Sequence, residues 1–242
     1  MPPVDLLDFA SADELACAVA SSWLNEIAAA NRVGKTHCVA LSGGRIAQKL
    51  FTATVELAKA RAISFQNAHF FWADERCVPP TDAESNFLSA NNYLFKPLGN
   101  IGENQIHRLR GEDSPQVAVK IAEDELSRIA ASNKNNRPVL DLVLLGMGED
   151  GHVASLFPNG GSAVQNCNAP YLVVENSPKP PPTRISLSYT ALAEARQVWV
   201  LAAGSGKATA LRESLKPEGR PPLARVLQMR ANAKIFCDLD KM

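Results

Sequence analysis

The stretch Leu140-Asp141-Leu142-Val143-Leu144-Leu145, running into Gly146-Met147-Gly148-Glu149-Asp150-Gly151-His152-Val153-Ala154-Ser155-Leu156-Phe157-Pro158, decides how this chain reads. A largely apolar run of that length, cut off by glycine, reads as a buried strand. An ionisable pair, Asp150 and His152, then stands where the strand ends. In open parallel sheets, ligands bind in the crevice beyond the carboxyl ends of the strands, where glycines let backbone come close to a substrate. A lone histidine is most often structural. One set among glycines, beside a carboxylate and just past a buried strand, reads as chemistry.

Short β-like runs recur on both sides of this block: His37–Leu41, Ala68–Trp72, Tyr171–Val174, Arg184–Leu187, Val198–Ala202 and Ala233–Cys237. Together with Leu140–Leu145 they are expected to form one sheet. Helical spacing lies between them. Leu15, Val19 and Ile27 line one face of Ser11–Ala30 behind a Ser11 N-cap, a helix is expected over Ile46–Arg61, and Ser114-Pro115 opens another that carries Ala118, Ala122, Leu126 and Ile129. Alternation of this kind predicts a layered, Rossmann-like α/β fold, a mainly parallel sheet flanked by helices, over residues 1–242 as a single domain.

Four polar loops then fall at comparable strand ends and are expected to converge on one crevice: Ser42-Gly43-Gly44-Arg45, Asp74-Glu75-Arg76, the Asp150/His152 loop and Gly204-Ser205-Gly206-Lys207. Each has a plainer reading. Ser42-Gly43-Gly44 at a helix start suits either an anion cradle of backbone N–H groups or a tight turn that needs glycine. Lys207 and Arg184 either bring positive charge to a bound phosphate or are solvated surface cations. Asp74 and Arg76 either hold substrate hydroxyls and a reacting oxygen or mark the solvated boundary of a strand. Ser85 and Asn86 either reach the site or cap the next helix, and capping is the simpler reading. Ser177-Pro178-Lys179-Pro180-Pro181-Pro182 is expected to be a stiff, extended loop.

Composition narrows the partners. Lysine plus arginine and aspartate plus glutamate number 25 each, so no global basic field draws the chain to nucleic acid or anionic lipid. The five cysteines are scattered without a CxxC pair, which indicates neither a disulfide framework nor a zinc knuckle and suits a reducing cytoplasm. The first residues lack the pattern of a signal peptide, and no apolar run is long enough to span a bilayer.

Taken in order, Ser42-Gly43-Gly44-Arg45, Asp74-Glu75-Arg76-Cys77-Val78-Pro79 with Ser85-Asn86, the Gly146–Pro158 block, Ser177–Arg184 and Gly204-Ser205-Gly206-Lys207 resemble the glucosamine-6-phosphate isomerase/6-phosphogluconolactonase family, on its lactonase side. The resemblance implies the fold of glucosamine-6-phosphate deaminase and ribose-5-phosphate isomerase. It implies hydrolysis of 6-phospho-D-glucono-1,5-lactone to 6-phosphogluconate in the oxidative pentose phosphate pathway, beside glucose-6-phosphate dehydrogenase, with no cofactor and no metal. His152 would be the general base and Arg76 the oxyanion partner. Asp74 and Asp150 would hold the histidine and substrate hydroxyls, and Gly43, Gly44, Arg45, Arg184 and Lys207 would hold the phosphate. Where family members often follow Ser-Gly-Gly with Ser/Arg-Thr-Pro, this chain has Arg45-Ile46-Ala47.

Two rivals remain. A deaminase would carry Phe-Asn-Glu-Pro after Asp150-Gly151-His152, where this chain has Ser155-Leu156-Phe157-Pro158 and no carboxylate. A phosphosugar-sensing regulator would need a DNA-binding module, and no helix-turn-helix precedes the first core strand. A histidine buried against a carboxylate is expected to have a raised pKa, moving the activity limb above the unperturbed value.

Overall fold

The computed structural model describes residues 4–239. The chain runs β1 (Val4–Asp8), α1 (Ala12–Arg32), β2 (His37–Leu41), α2 (Arg45–Ala60), β3 (Ala68–Trp72), β4 (Asp74–Arg76) and α3 (Asn86–Ala90). A π-helical turn (Asn91–Phe95) leads into α4 (Lys96–Leu98), and then come α5 (Pro115–Ile129), β5 (Leu142–Gly146), α6 (Ser162–Gln165), β6 (Tyr171–Val174) and β7 (Arg184–Leu187). The chain ends with α7 (Tyr189–Glu194), β8 (Gln197–Ala202), α8 (Ala208–Ser214), α9 (Pro222–Gln228) and β9 (Ala233–Cys237).

Six strands form one parallel sheet in the order β1-β9-β8-β5-β2-β3. The central strands are buried on both faces, His37–Leu41 throughout, which is why they read as continuous apolar runs rather than as an alternation. α1 packs along α2 and puts Leu15, Val19, Trp23 and Ile27 into the core; Trp23 meets Phe65 and Phe70 edge-on at 6.5 and 6.3 Å. The Ser11 hydroxyl caps α1 by accepting from Glu14 N–H at 3.2 Å. The layered, mainly parallel sheet flanked by helices is the fold expected.

Two expectations about strands need correcting. β6 and β7 do not join the main sheet; with β4 they form a separate antiparallel sheet in the order β4-β7-β6. The reason is topological. Parallel neighbours need a long crossover, usually helical, and residues 175–183 between β6 and β7 form only a loop, so these strands fold back on each other. That loop is not extended either, since Ser177 N–H donates to Pro182 C=O at 2.8 Å and closes it on itself. The second correction is β1, an edge strand beside β9. Leu6 and Leu7 are both exposed, so Val4–Asp8 carries no two-residue alternation to announce it.

The antiparallel sheet brings Asp74-Glu75-Arg76 indoors. Glu75 is buried, and its carboxylate accepts from the N–H groups of Arg76, Asn86 and Phe87 at 2.8, 2.7 and 2.8 Å and from the Ser85 hydroxyl at 3.0 Å. Ser85 in turn accepts from Leu88 N–H at 3.2 Å, so it is the cap expected and α3 starts on a charged knot. This knot ties β4 to α3. Glu75→Ala would leave three N–H groups at a buried site without an acceptor and should destabilise the fold by about 3 kcal/mol, measured by urea unfolding. Unchanged stability in that variant would contradict the account.

Candidate active site

In the sheet order, the chain steps outward from β2 to β3 on one side and from β5 to β8 to β9 on the other. The direction reverses between β2 and β5, the place where open parallel sheets form a ligand crevice. A cleft of about 490 Å³ lies there. It is lined by Gly43, Gly44 and Arg45 after β2, Asp74 and Arg76 of β4, His152 after β5, Arg184 of β7 and Lys207 after β8. The four loops read from the sequence therefore meet at one site.

One end of the cleft is the start of α2. Its N-cap is Gly44, which offers no side-chain hydrogen bond, so the first N–H groups of the helix face the cleft without a capping side chain. Gly43 is held from behind. A Cβ there would sit 1.8 Å from Asn86 Oδ1, and the Asn86 amide is fixed by donating to Asp74 C=O at 2.9 Å and to the Asp74 carboxylate at 3.4 Å. Asn86 is thus a site residue, beyond the capping role expected of its segment. Lys207 adds charge to the same cleft. Burial holds its ammonium below the ordinary value; Glu149 pulls it back up, and Lys179 and Arg45 add to the fall. A helix start without a cap, among lysine and arginine, suits an anion such as phosphate.

His152 occupies another wall. Its Nδ1 lies 2.5 Å from Asp150 Oδ1, and its ring packs against Phe157 with centroids 4.8 Å apart. An Asp150 carboxylate at Nδ1 favours the tautomer with the proton there, leaving Nε2 as the basic nitrogen. Gly148 makes room for the ring, since a Cβ at that position would lie 2.0 Å from His152 Nδ1. Asp150 itself does not line the cleft; it stands behind the histidine. The expected rise in the histidine pKa is reversed. Burial lowers the imidazole, and this outweighs the hydrogen bond and charge of Asp150 that raise it. For Asp150, burial acts upward, but the hydrogen bonds and charge of His152 together leave its carboxyl below the ordinary value.

The remaining charged residues are partly committed within the protein. The Asp74 carboxylate accepts from the Ser155 hydroxyl at 2.7 Å, joining the loop after β5 to β4. Arg76 Nη1 donates to Glu84 C=O at 2.6 Å and to its carboxylate at 3.3 Å. Arg184 is buried over the Phe157 ring and donates to the carbonyls of Lys179, Pro180 and Pro181 at 3.0, 3.2 and 3.3 Å. It therefore holds the proline-rich loop as well as facing the cleft, and burial, then the charge of Arg76, keep its guanidinium below the ordinary value. Lys179 and Lys49 also line the cleft and were not read as site residues. Lys49 lies in the helical run after Gly44, one turn past Arg45, where the sequence offered a signal; Lys179 stands in the proline-rich run expected to be a stiff, extended loop.

Comparison with known proteins places this geometry in a lineage. Residues 10–236 match the sequence profile of the family described as glucosamine-6-phosphate isomerases/6-phosphogluconolactonase. The chain is 37% identical over 175 residues to a 6-phosphogluconolactonase of Haemophilus influenzae, covering 72% of each chain. It is 33% identical over 207 residues to one of Mycobacterium tuberculosis, covering 84% of this chain and 82% of the relative. The solved 6-phosphogluconolactonase of Trypanosoma brucei superposes with a TM-score of 0.85 at 25% identity, over 98% of this chain and 97% of that one. A monomeric glucosamine-6-phosphate deaminase shares the fold, with a TM-score of 0.79 at 17% identity over 97% of each chain. The chain belongs to the glucosamine-6-phosphate isomerase/6-phosphogluconolactonase family.

Proposed function

We propose that this chain is a 6-phosphogluconolactonase that opens 6-phospho-D-glucono-1,5-lactone to 6-phosphogluconate, with His152 as general base. The observation that carries the reading is the presence, in one cleft, of an uncapped helix start and a half-buried His152 backed by the Asp150 carboxylate. The first suits the phosphate and the second the lactone carbonyl. Relatives that are 6-phosphogluconolactonases, at 33 to 37% identity, support the same substrate.

Substrate phosphate sits at the N–H groups of Gly44 and Arg45 with Lys207 beside it, and the free edge of Arg184 faces the same cleft. This fixes the sugar so that its C1 carbonyl reaches His152. Neutral Nε2 takes a proton from water as the water oxygen bonds to C1, while Asp150 steadies the imidazolium that forms. The carbonyl electrons move to oxygen; when they return, the C1–ring-oxygen bond breaks and the ring oxygen leaves as a hydroxyl, taking the proton from His152. Asp74, pinned by Ser155 and Asn86, is placed to accept from a substrate hydroxyl. Nothing in these steps draws on a cofactor.

The wall that distinguishes the deaminase reading is occupied otherwise in this chain. Ser155 binds Asp74, and the Phe157 ring packs against both His152 and Arg184, so no carboxylate stands beside the base from this segment. The biological setting belongs to the same proposal: a reducing cytoplasm, with the lactone delivered by glucose-6-phosphate dehydrogenase. Among the described residues no helix is long and apolar enough to cross a membrane, and five cysteines are unpaired.

The lactone can be generated in place by glucose-6-phosphate dehydrogenase and 6-phosphogluconate formation followed above the spontaneous rate. Acceleration by the protein supports the reading, and none, from folded protein, sinks it. His152→Ala should lower kcat roughly 10²–10⁴-fold. Gly148→Ala should show a comparable loss with an intact fold, because its Cβ claims the space of the imidazole. The pH dependence has a definite sign. A base must be neutral, and burial lowers the imidazole, so the acidic limb of kcat/KM should fall below the ordinary histidine value of about 6.5. A limb above that value would show that burial is not the dominant influence on His152.

A further inference from the structure

The proline-rich loop between β6 and β7 contributes more than a connection. Its Lys179 is exposed at the surface yet lines the same cleft as His152, and its backbone is fastened on several sides. Lys179 C=O accepts from Arg184 at 3.0 Å and from the Ser177 hydroxyl at 2.9 Å, and Lys179 N–H donates to the Ser177 hydroxyl at 3.3 Å. A solvated spacer has no need of a buried arginine to grip three successive carbonyls. The ammonium itself has no hydrogen-bonding or acidic partner among the described residues, so it remains available to a ligand.

Lys179 shares the cleft with the base. The positive charge of Lys179 lowers the His152 imidazole and the Lys207 ammonium, both of which line the same cleft. Arg76, expected from the sequence to face the reacting oxygen, has part of its guanidinium taken by Glu84. A free cation in the cleft of the base can supply the charge needed when water adds to a carbonyl, because the oxygen that becomes negative is attached to the carbon the base is serving.

We propose that Lys179 is a further catalytic residue, its ammonium stabilising the oxyanion that forms on the lactone carbonyl oxygen as His152 draws a proton from the attacking water. The inference rests on the lactonase reading above. In the step concerned, the water oxygen bonds to C1, the water proton goes to His152 Nε2 and the carbonyl π electrons become the oxyanion facing Lys179. The ammonium keeps its protons throughout. When the oxyanion collapses, the C1–ring-oxygen bond breaks and the proton on His152 passes to the departing oxygen.

Lys179 is exposed and its side chain makes no bond, so Lys179→Met leaves the fold in place, while Lys179→Arg keeps the charge. Wild type and both variants are compared for kcat and KM on the phosphorylated lactone, for the pH profile of kcat/KM, and for the Kd of inorganic phosphate. Lys179→Met should lower kcat roughly 10²-fold, as loss of one oxyanion partner does elsewhere, with KM and phosphate affinity little changed. Its acidic limb should move upward, since a cation that lowers the imidazole has gone, and Lys179→Arg should recover most of both effects. Unchanged kcat in Lys179→Met overturns the inference. So does a loss accompanied by weaker phosphate binding, which would make Lys179 a phosphate ligand. Wild-type protein without lactonase activity would instead remove the reading on which the inference stands.

Discussion

Six parallel strands end along one edge, and everything the site does depends on that alignment. Parallel pairing forces each connection to travel back across the sheet, so successive loops emerge on the same side however far apart they lie in sequence. At the reversal between β2 and β5 two of these loops part and leave a crevice, and the loops after β3 and β8 flank it. Residues 43, 152 and 207 become neighbours for this reason. The antiparallel sheet then sets Asp74, Arg76 and Arg184 on the rim, with Arg76 directly opposite Arg184 in register. Two like charges placed opposite each other are unfavourable in a bare sheet. Here Glu84 takes one side of Arg76, and carbonyls of the proline-rich loop take one side of Arg184.

Buried charge divides the site into supports and working groups. Glu75 has four donors and faces the protein; Asp74 is half committed, to Ser155 and Asn86; Arg184 grips a loop. Groups with this many protein partners are held still, which is what orientation of a substrate requires. His152 is tethered on one nitrogen only, and Lys179 and the start of α2 have no protein partner of the matching kind. The chemistry falls to these. The lowered imidazole pKa follows from the same division, since for a histidine packed on Phe157 the loss of hydration outweighs the charge and hydrogen bond of one carboxylate.

Much of this was legible in the residues. The core strands announced themselves because burial on both faces demands continuous apolar runs, and the four loops because glycine and charge gather where such runs stop. What escaped had physical reasons. β1 is an exposed edge strand whose register comes from β9, a partner at the other end of the chain. β6 and β7 have the composition of core strands, and only the missing crossover between them tells that they pair antiparallel in a second sheet. Glu75 and Asp74 look alike in a row of charges, yet successive strand residues face opposite ways, so one anchors α3 and the other lines the cleft. The direction of the His152 shift could not be read from Asp150 beside it, because desolvation depends on Phe157 and the enclosing loops. Lys179 needed the grip of Arg184 to be noticed.

The central claim is one of orientation: phosphate at the start of α2 and the reacting carbon at His152. Crystals of the protein with 6-phosphogluconate bound test it directly. The account predicts the phosphate oxygens on the N–H groups of Gly44 and Arg45, and the C1 carboxylate within hydrogen-bond reach of His152 Nε2. A phosphate seated against His152, with the α2 start left to solvent, would contradict it.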